Sequence, residues 1–239
     1  FELAKTMRTS WILAALTASL AAADDPALLT PRINTKPGPE YADGTRIFQG
    51  IPGIELVEMD LASLASVRKA ADALNARGET FDLVVNNAGV MACPKGATAD
   101  GFETQFGTNH LGHFVFANRI GHLIRPGGRL VSLSSAGHRF ADVDLEDPNF
   151  ETTPYEEFVA YGRAKTANAL FAVEFDRRHK DRGVRAAAVH PGGIMTELGR
   201  HMTPETIQGM LDNIAKAQAA GGAPAFEWKT IPQGAATSV

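Results

Sequence analysis

Residues 81–89 read Phe-Asp-Leu-Val-Val-Asn-Asn-Ala-Gly, and this stretch decides the fold. The run from Phe81 to Val85 is short and apolar, which is typical of a strand that is buried on both faces of a sheet. A polar turn, Asn86–Gly89, follows it directly. Its amides can hydrogen-bond a ligand and its glycine lets a ligand approach the backbone, although an ordinary turn has a similar composition.

Strand and helix patterns alternate on both sides of this stretch. The alternation of strands with helical segments predicts a parallel sheet covered by helices, a doubly wound, Rossmann-like α/β fold in one domain. Ser63 is the predicted N-cap of the first of these helices, and Gly78 and Gly183 are predicted helix ends. The predicted strands are 54–59, 81–85, 129–133 and 184–189, and the predicted helices are 61–76, 100–124, 155–182 and 204–220.

The first 50 residues have a different character. Pro and Gly are dense between Pro26 and Gly50, which predicts a loop. We therefore divide the chain into an atypical N-terminal segment, 1–50, and a Rossmann-like core, 51–239. Within the first segment, Trp11–Ala15 is interpreted as a buried strand-like stretch before an Ala-rich helix. A secretory signal over 7–23 is the alternative, because a basic start, an apolar middle and small residues describe one.

Composition excludes several classes of protein. The chain has 239 residues, 44% of them hydrophobic and 21% charged, and a formal charge of −4. These values exclude a wholly disordered chain and argue against a nucleic-acid partner. The single cysteine, Cys93, can form neither an internal disulfide nor a cysteine-based zinc site. No apolar run reaches the ~20 residues of a membrane helix. His110 and His113 have no third ligand in the sequence pattern, so no metal is expected.

The sharpest chemical pattern is Tyr161-Gly-Arg-Ala-Lys165. The tyrosine and the lysine are four residues apart in a predicted helix and so share one face of it. An ammonium near a phenol favours the phenolate and lowers its pKa, which lets the phenol exchange a proton near neutral pH. The spacing alone is common on solvated helices, so it needs support from other motifs.

Three further polar segments supply that support, because each follows a predicted strand. They are Asn86–Gly89, Ser134-Ser135 and Pro191–Thr196. Each is compatible with an ordinary turn, but together they lie at the carboxyl ends of consecutive parallel strands, where ligands bind in such sheets.

These motifs as a set resemble the short-chain dehydrogenase/reductase family, over roughly residues 53–239. The sequences of Asn87–Met91 and His110–Phe114 most resemble the branch of retinol-dehydrogenase-like and WW-domain-oxidoreductase-like proteins. An insert rich in Asp, Glu and Pro, 142–155, also suits that branch. The matching pieces are Asp60-Leu61, Asn86–Gly89, Asn109, Ser134-Ser135, Tyr161 with Lys165, and Pro191-Gly192 with Thr196.

The resemblance implies a role for each matching residue. Tyr161 would be the general acid/base, Lys165 would lower its pKa and hold the nicotinamide ribose, and Ser135 would bind the substrate oxygen. Asn109 would hold a water in a proton relay. The remaining positions, which would contact the cofactor, are Asp60 and Leu61 at the adenine, Asn87, Ala88 and Gly89 on the adenosine side, and Pro191, Gly192 and Thr196 near the nicotinamide.

One family motif is not found. The family opens with a glycine-rich turn that holds the cofactor pyrophosphate at a helix N-terminus. Phe1–Met7 resembles the helix just after that turn, and residues 232–236 resemble the start of a late helix that the sequence does not complete. The sequence therefore reads as incomplete at both ends, and residues 1–239 are expected to bind a nicotinamide cofactor weakly. A divergent member that has lost cofactor binding is the alternative.

The sequence thus predicts an oxidoreductase that moves hydride between a nicotinamide cofactor, NADP or NAD with NADP favoured, and an alcohol or carbonyl substrate. Two rivals stay open: a cofactor-free member that serves binding or assembly, and a lyase or epimerase that reuses the Tyr-x-x-x-Lys pair. We expect a cytoplasmic location, no integral membrane segment and no nucleic acid. A second copy of the chain is a candidate partner.

Overall fold

The structure, a computed structural model, describes residues 11–16, 54–219 and 227–238. Its elements, in chain order, are strands β1 (Trp11–Leu16) and β2 (Ile54–Met59), helix α1 (Leu64–Arg77), strand β3 (Phe81–Asn86), helices α2 (Thr104–Phe106) and α3 (Gly112–Ile120), strand β4 (Ile124–Leu133), helix α4 (Glu157–His179), strands β5 (Arg185–Val189) and β6 (Gly193–Ile194), helix α5 (Pro204–Ala219), strand β7 (Trp228–Lys229) and helix α6 (Ile231–Ala235).

The centre of the fold is a parallel sheet in the order β3-β4-β5. Asn86 lies opposite Ser132, and Ser132 lies opposite Ala188, so the three strands end at nearly the same level. The polar turns that follow the strands therefore meet at one edge of the sheet, as predicted. With the helices between its strands, this sheet confirms the predicted Rossmann-like α/β class.

Strand β1 departs from the parallel pattern. It pairs with β2 in the antiparallel direction, with Trp11 opposite Met59, and the two form a separate pair. The stretch at Trp11–Ala15 is thus a strand, but not one that runs parallel to its neighbour. Backbone hydrogen bonding permits either direction, so an apolar run by itself does not decide it. The rest of the possible signal stretch, the Ala-rich helix and the loop 26–50 lie outside the described residues.

Helix α1 begins and ends where its capping residues predict. The Ser63 hydroxyl accepts a hydrogen bond from the Ser66 amide at 3.3 Å, and Gly78 ends the helix in the left-handed region at φ +68°. The predicted start at Leu61 is wrong by three residues, because the Ser63 amide donates to the Asp60 carbonyl in a tight turn before the helix. Side chains on one face of α1, Val67, Ala71 and Leu74, are buried in the core.

The long helix predicted over 100–124 forms over 104–123, but it contains a π turn and begins later than predicted. In the structure Glu103 caps α2, a π-helical turn follows at Gly107–Leu111, and α3 resumes at Gly112. The π turn is held open because the Asn109 side chain hydrogen-bonds the backbone of Val90. Such turns are frequent at functional sites.

Residues Arg125–Gly128, which lie between the predicted helix 100–124 and the predicted strand 129–133, belong to β4 in the structure. The pairing jumps from Phe81 opposite Ile124 to Leu83 opposite Arg129, so the extra residues bulge out of the sheet. Gly127 is at φ +87°, a conformation that glycine adopts without strain. The bulge explains why β4 is longer than the predicted strand, 129–133.

Helix α4 crosses the sheet and carries the Tyr161–Lys165 pair. The α-helix ends at His179 and a short 3₁₀ turn continues to Arg182. Gly183, in the left-handed conformation, then ends this helical segment, as predicted. Phe171 and Phe175 on this helix are buried in the same core as α1 and α3. None of the helices in the described ranges is long and apolar enough to cross a membrane.

Close packing at Gly112 is testable. A Cβ added there would lie 2.6 Å from the Leu61 carbonyl oxygen and 3.0 Å from the Leu61 side chain. We expect Gly112→Ala to lower the free energy of unfolding by about 1–3 kcal/mol through overpacking, as measured by urea denaturation. Gly209→Ala is the control, because a Cβ at that helical position meets nothing within 4 Å. Equal stability of the two variants would contradict this packing.

Candidate functional site

The turn after β2 places Asp60 and Leu61 beside the helix that follows Asn109. The Asp60 Oδ1 atom accepts a hydrogen bond from the Ala62 amide at 2.9 Å, which shapes the turn. Leu61 is buried beneath Gly112. Asp60 is half-buried, and its Oδ2 atom has no partner among the described residues, so this oxygen is available to a ligand.

The turn after β3 is held from below by a histidine. His113 donates from Nε2 to the Ala88 carbonyl at 2.8 Å, and burial lowers the pKa of His113 to about 4. The next residue, Gly89, has no room for a side chain, because a Cβ would lie 2.8 Å from the Asn109 Oδ1 atom. Asn87 is exposed at the rim. The backbone here is therefore rigid and closely approached, as a ligand cradle requires.

Asn109 is fully buried and its side chain is already engaged. Its Oδ1 atom accepts from the Val90 amide at 2.7 Å, and its Nδ2 group donates to the Val90 carbonyl at 2.8 Å. The side chain thus holds the loop after Gly89. The Asn109 backbone carbonyl accepts a hydrogen bond from the Asn168 side chain at 3.0 Å.

The two serines after β4 face different neighbours. The Ser134 hydroxyl donates to the Lys165 carbonyl at 2.9 Å, so it fastens the sheet to α4. The Ser135 hydroxyl accepts from the Gly137 amide at 3.1 Å, and its proximity to Tyr161 lowers the pKa of that phenol. Ser135, the second serine of the pair, is therefore the one that meets the tyrosine.

Tyr161 is buried against a turn that glycine makes possible. A Cβ at Gly137 would lie 2.8 Å from two carbons of the Tyr161 ring, and a Cβ at Gly162 would lie 2.9 Å from the Gly137 carbonyl. Burial raises the pKa of Tyr161, and the neighbouring Ser135 hydroxyl opposes that rise. The expected lowering of this pKa is therefore wrong for the structure, because burial outweighs the favourable contacts.

Lys165 is buried one helical turn beyond the tyrosine. Its ammonium donates to the Leu133 carbonyl at 2.9 Å and lies 5.5 Å from the centre of the Tyr161 ring. Burial lowers the pKa of Lys165 to about 8. Within the described ranges that carbonyl is the single acceptor for the ammonium, which leaves two N–H donors for a ligand.

The segment after β5 is more exposed than the buried group. Gly192 adopts φ +99°, and the Lys229 side chain covers it and donates to the Pro191 carbonyl at 3.1 Å. Thr196 is exposed, and its hydroxyl accepts from the Leu198 amide. The structure thus brings Gly89, Asn109, Ser135, Tyr161 and Lys165 together, while the described contacts link neither Pro191 nor Thr196 to them.

Sequence reasoning did not find the residue that anchors the acidic insert. Arg163 donates to the Asp147 carbonyl at 2.8 Å and to the Asp144 carboxylate at 3.0 Å, and its guanidinium lies 4.1 Å from the centre of the Phe150 ring. The Asp147 carboxylate accepts five hydrogen bonds within the insert. Arg163 lies between Tyr161 and Lys165 in the sequence, and this position is the one signal that could have drawn attention to it.

Comparison with known proteins agrees with this geometry. The profile of the family described as short chain dehydrogenase matches residues 45–206. The chain belongs to the short-chain dehydrogenase family.

Individual family members are similar over most of the chain. It is 39% identical over 196 residues to the short-chain dehydrogenase/reductase prx1 of Penicillium rubens, covering 79% of this chain and 55% of that protein. It is 44% identical over 145 residues to human retinol dehydrogenase 13, covering 60% of this chain and 44% of that protein. The chain thus spans about half the length of these relatives, and the retinol-dehydrogenase-like resemblance is confirmed.

Solved structures share the fold of this short-chain dehydrogenase. An uncharacterised protein from Mycobacterium paratuberculosis superposes with a TM-score of 0.58 at 34% identity, covering 79% of this chain and 67% of that one. The NADPH-bound carbonyl reductase from chicken fatty liver has a TM-score of 0.50 at 18% identity, covering 73% of this chain and 75% of that one. The second comparison bears on the fold alone.

The buried ammonium of this short-chain dehydrogenase has a cost that depends on pH. The pKa of Lys165 falls from 10.5 to about 8 on folding, so between these values the unfolded chain binds more protons. Stability therefore rises with pH across that window, and below pH 8 the buried charge costs about 3 kcal/mol. We expect Lys165→Met to raise the free energy of unfolding at pH 7 and to lose this advantage by pH 10.5, as measured by urea denaturation at both pH values.

The matched control is Lys216→Met, because Lys216 is exposed on α5. It should change the free energy of unfolding little at either pH. A Lys165→Met variant that is less stable than the parent at pH 7 would show that the ammonium contributes more through its hydrogen bond than it costs through burial.

Proposed function

We propose that this protein is an NAD(P)-dependent oxidoreductase that transfers a hydride between a nicotinamide cofactor and an alcohol or carbonyl substrate. The observation that carries the proposal is the buried Tyr161, which lies next to Ser135 and on the same helix face as Lys165, whose ammonium is 5.5 Å from the centre of the Tyr161 ring. A hydroxyl pair of this kind can hold one substrate oxygen and exchange a proton with it.

The residues present fit a nicotinamide cofactor. The Lys165 ammonium has two N–H donors beyond the one bound to Leu133, which suits the two hydroxyls of a ribose. Gly89 lets the Asn109 side chain approach the backbone after β3, which fixes that turn beside Lys165. The Oδ2 atom of Asp60, which has no hydrogen-bond partner within the described ranges, can accept a hydrogen bond from an adenine amine. When bound, the cofactor supplies or accepts the hydride, which no protein side chain can do.

The chain's own residues would orient the substrate and move the proton. Ser135 donates a hydrogen bond to the substrate oxygen and holds it beside the Tyr161 hydroxyl. In the reductive direction Tyr161 gives its proton to that oxygen as the carbonyl becomes an alcohol. Burial keeps the Tyr161 phenol protonated at neutral pH, so the site as it stands is prepared for reduction.

Lys165 would act in this scheme through its charge. Its ammonium lies 5.5 Å from the centre of the tyrosine ring and attracts the negative charge that develops on the phenol as the proton leaves. The buried surroundings strengthen that attraction, since water does not screen it. We propose that Lys165 also holds the ribose, and that Asn109 contributes its backbone carbonyl to the relay.

The remaining assignments continue the same proposal. NADP is the cofactor to test first, with NAD as the alternative. Human retinol dehydrogenase 13 is named for an alcohol substrate, which supports the alcohol or carbonyl class for this chain. Pro191, Gly192 and Thr196 would contact the nicotinamide once a ligand is bound. A cytoplasmic location and association with a second copy complete the proposal.

Tyr161→Phe tests the proposed function, because it removes the hydroxyl and keeps the ring. We expect turnover of carbonyl substrates with NADPH or NADH, followed by absorbance at 340 nm, to fall by about 10²–10⁴-fold. Tyr155→Phe is the control, since it removes a hydroxyl that instead bonds the Cys93 carbonyl. Near-normal turnover by Tyr161→Phe would overturn the role of Tyr161, and a parent protein that forms product without cofactor would favour a lyase or epimerase.

A further inference from the structure

The carbonyl that holds Lys165 has a second donor. The Leu133 carbonyl accepts from the Lys165 ammonium at 2.9 Å and from the Asn168 side chain at 3.0 Å. The same Asn168 nitrogen donates to the Asn109 carbonyl at 3.0 Å. Asn168 lies one helical turn beyond Lys165 and is 1% exposed. One amide therefore joins the backbone carbonyl that holds the ammonium to the backbone carbonyl of Asn109.

The direction of these hydrogen bonds determines the tautomer of a neighbouring histidine. Both hydrogens of the Asn168 Nδ2 group point to carbonyl oxygens, so the Oδ1 atom of the same amide must accept a hydrogen bond. Its partner is the Nδ1 atom of His110 at 3.1 Å. His110 must therefore carry its proton on Nδ1.

The surroundings of His110 keep its ring neutral and in place. Burial lowers the pKa of His110. Its ring lies 5.3 Å from the ring of Phe106, 5.7 Å from that of Phe114 and 6.4 Å from that of Phe171, measured between centroids. A neutral ring held by three aromatic neighbours has little freedom to turn, so its Nδ1–H is a fixed donor to Asn168.

A second histidine in the same helical segment has the opposite tautomer. His113 meets the Ala88 carbonyl through Nε2, and a carbonyl can only accept, so His113 carries its proton on Nε2. The two rings are three residues apart, and each orients a different part of the site. His113 fixes the turn after β3, while His110 fixes Asn168.

We propose that Asn168, oriented by His110, is a positioning residue for Lys165. It holds the Leu133 and Asn109 carbonyls at the spacing that lets the ammonium bind one of them and point its other hydrogens toward the ligand. An ammonium on a flexible four-carbon stem has no preferred direction of its own, so its acceptor must be fixed by other groups. This role rests on the proposed function, while the hydrogen-bond direction does not.

The ¹⁵N chemical shifts of the histidine rings test the network without any turnover. In the parent protein at pH 7, we expect His110 to show the Nδ1–H pattern and His113 the Nε2–H pattern in one spectrum. In Asn168→Leu, His110 should lose its Nδ1–H preference while His113 keeps its pattern. A parent protein in which His110 carries its proton on Nε2 would overturn the inference, whether or not the protein is an oxidoreductase.

Kinetics then test the positioning role. We expect Asn168→Leu to lower kcat by roughly 10- to 100-fold, with the substrate KM changed less than about threefold, because the reacting groups are misplaced while binding persists. Asn118→Leu is the matched control, since Asn118 also donates to a helix carbonyl, that of Phe114, but is exposed. Unchanged kcat in Asn168→Leu would refute the role.

A second variant guards against loss of folding in Asn168→Leu. His110→Phe keeps an aromatic ring among the three phenylalanines and removes only the donor to Asn168. We expect it to fold, to keep its melting temperature within a few degrees and to lose kcat in the same direction but by less. Normal kcat in a folded His110→Phe variant would show that His110 does not orient Asn168. A parent protein with no turnover even at saturating NADPH or NADH would instead overturn the proposed function, and the ring shifts would still decide the network.

Discussion

The ammonium of Lys165, buried and bound to the Leu133 carbonyl, is the interaction on which the site depends. A charge in this position is costly, since it loses the solvation that water provides. It is tolerated because the last residue of β4 offers a carbonyl at the level where α4 crosses the sheet. This contact ties α4 to β4, and Asn168 of α4 donates a second hydrogen bond to the same carbonyl.

Glycines set how closely the surrounding segments approach. Gly89 admits the Asn109 side chain, and Gly137 with Gly162 admits the Tyr161 ring to the turn after β4. In each case a Cβ would come closer than 3.0 Å to its neighbour. The polar groups of the site are consequently held by closely packed backbone segments that have little room to move. That rigidity is what a proton transfer over hydrogen-bond distance requires.

Local patterns predicted most of the fold. Ser63 and Gly78 define the ends of α1, and Gly183 marks the end of the segment after α4, because capping is decided by a few neighbouring residues. The predicted helix over 100–124 missed the π turn at Asn109, because the Asn109 side chain bonds Val90, which is 19 residues away. The bulge at Gly127 and the direction of β1 were also missed, since both depend on a partner strand rather than on local sequence.

The sequence by itself determined the α/β class, the family, and the residue types at the ends of the strands, because apolar periodicity and motif spacing are local properties. Only the tertiary structure decided which of those residues meet. It placed Ser135 rather than Ser134 beside Tyr161, bonded the Asn109 side chain to Val90, and set Asn168 on the carbonyl that holds Lys165. These outcomes depend on contacts between segments far apart in the chain, and the burial that the packing creates, not the spacing of the motif, is what sets the pKa of Tyr161.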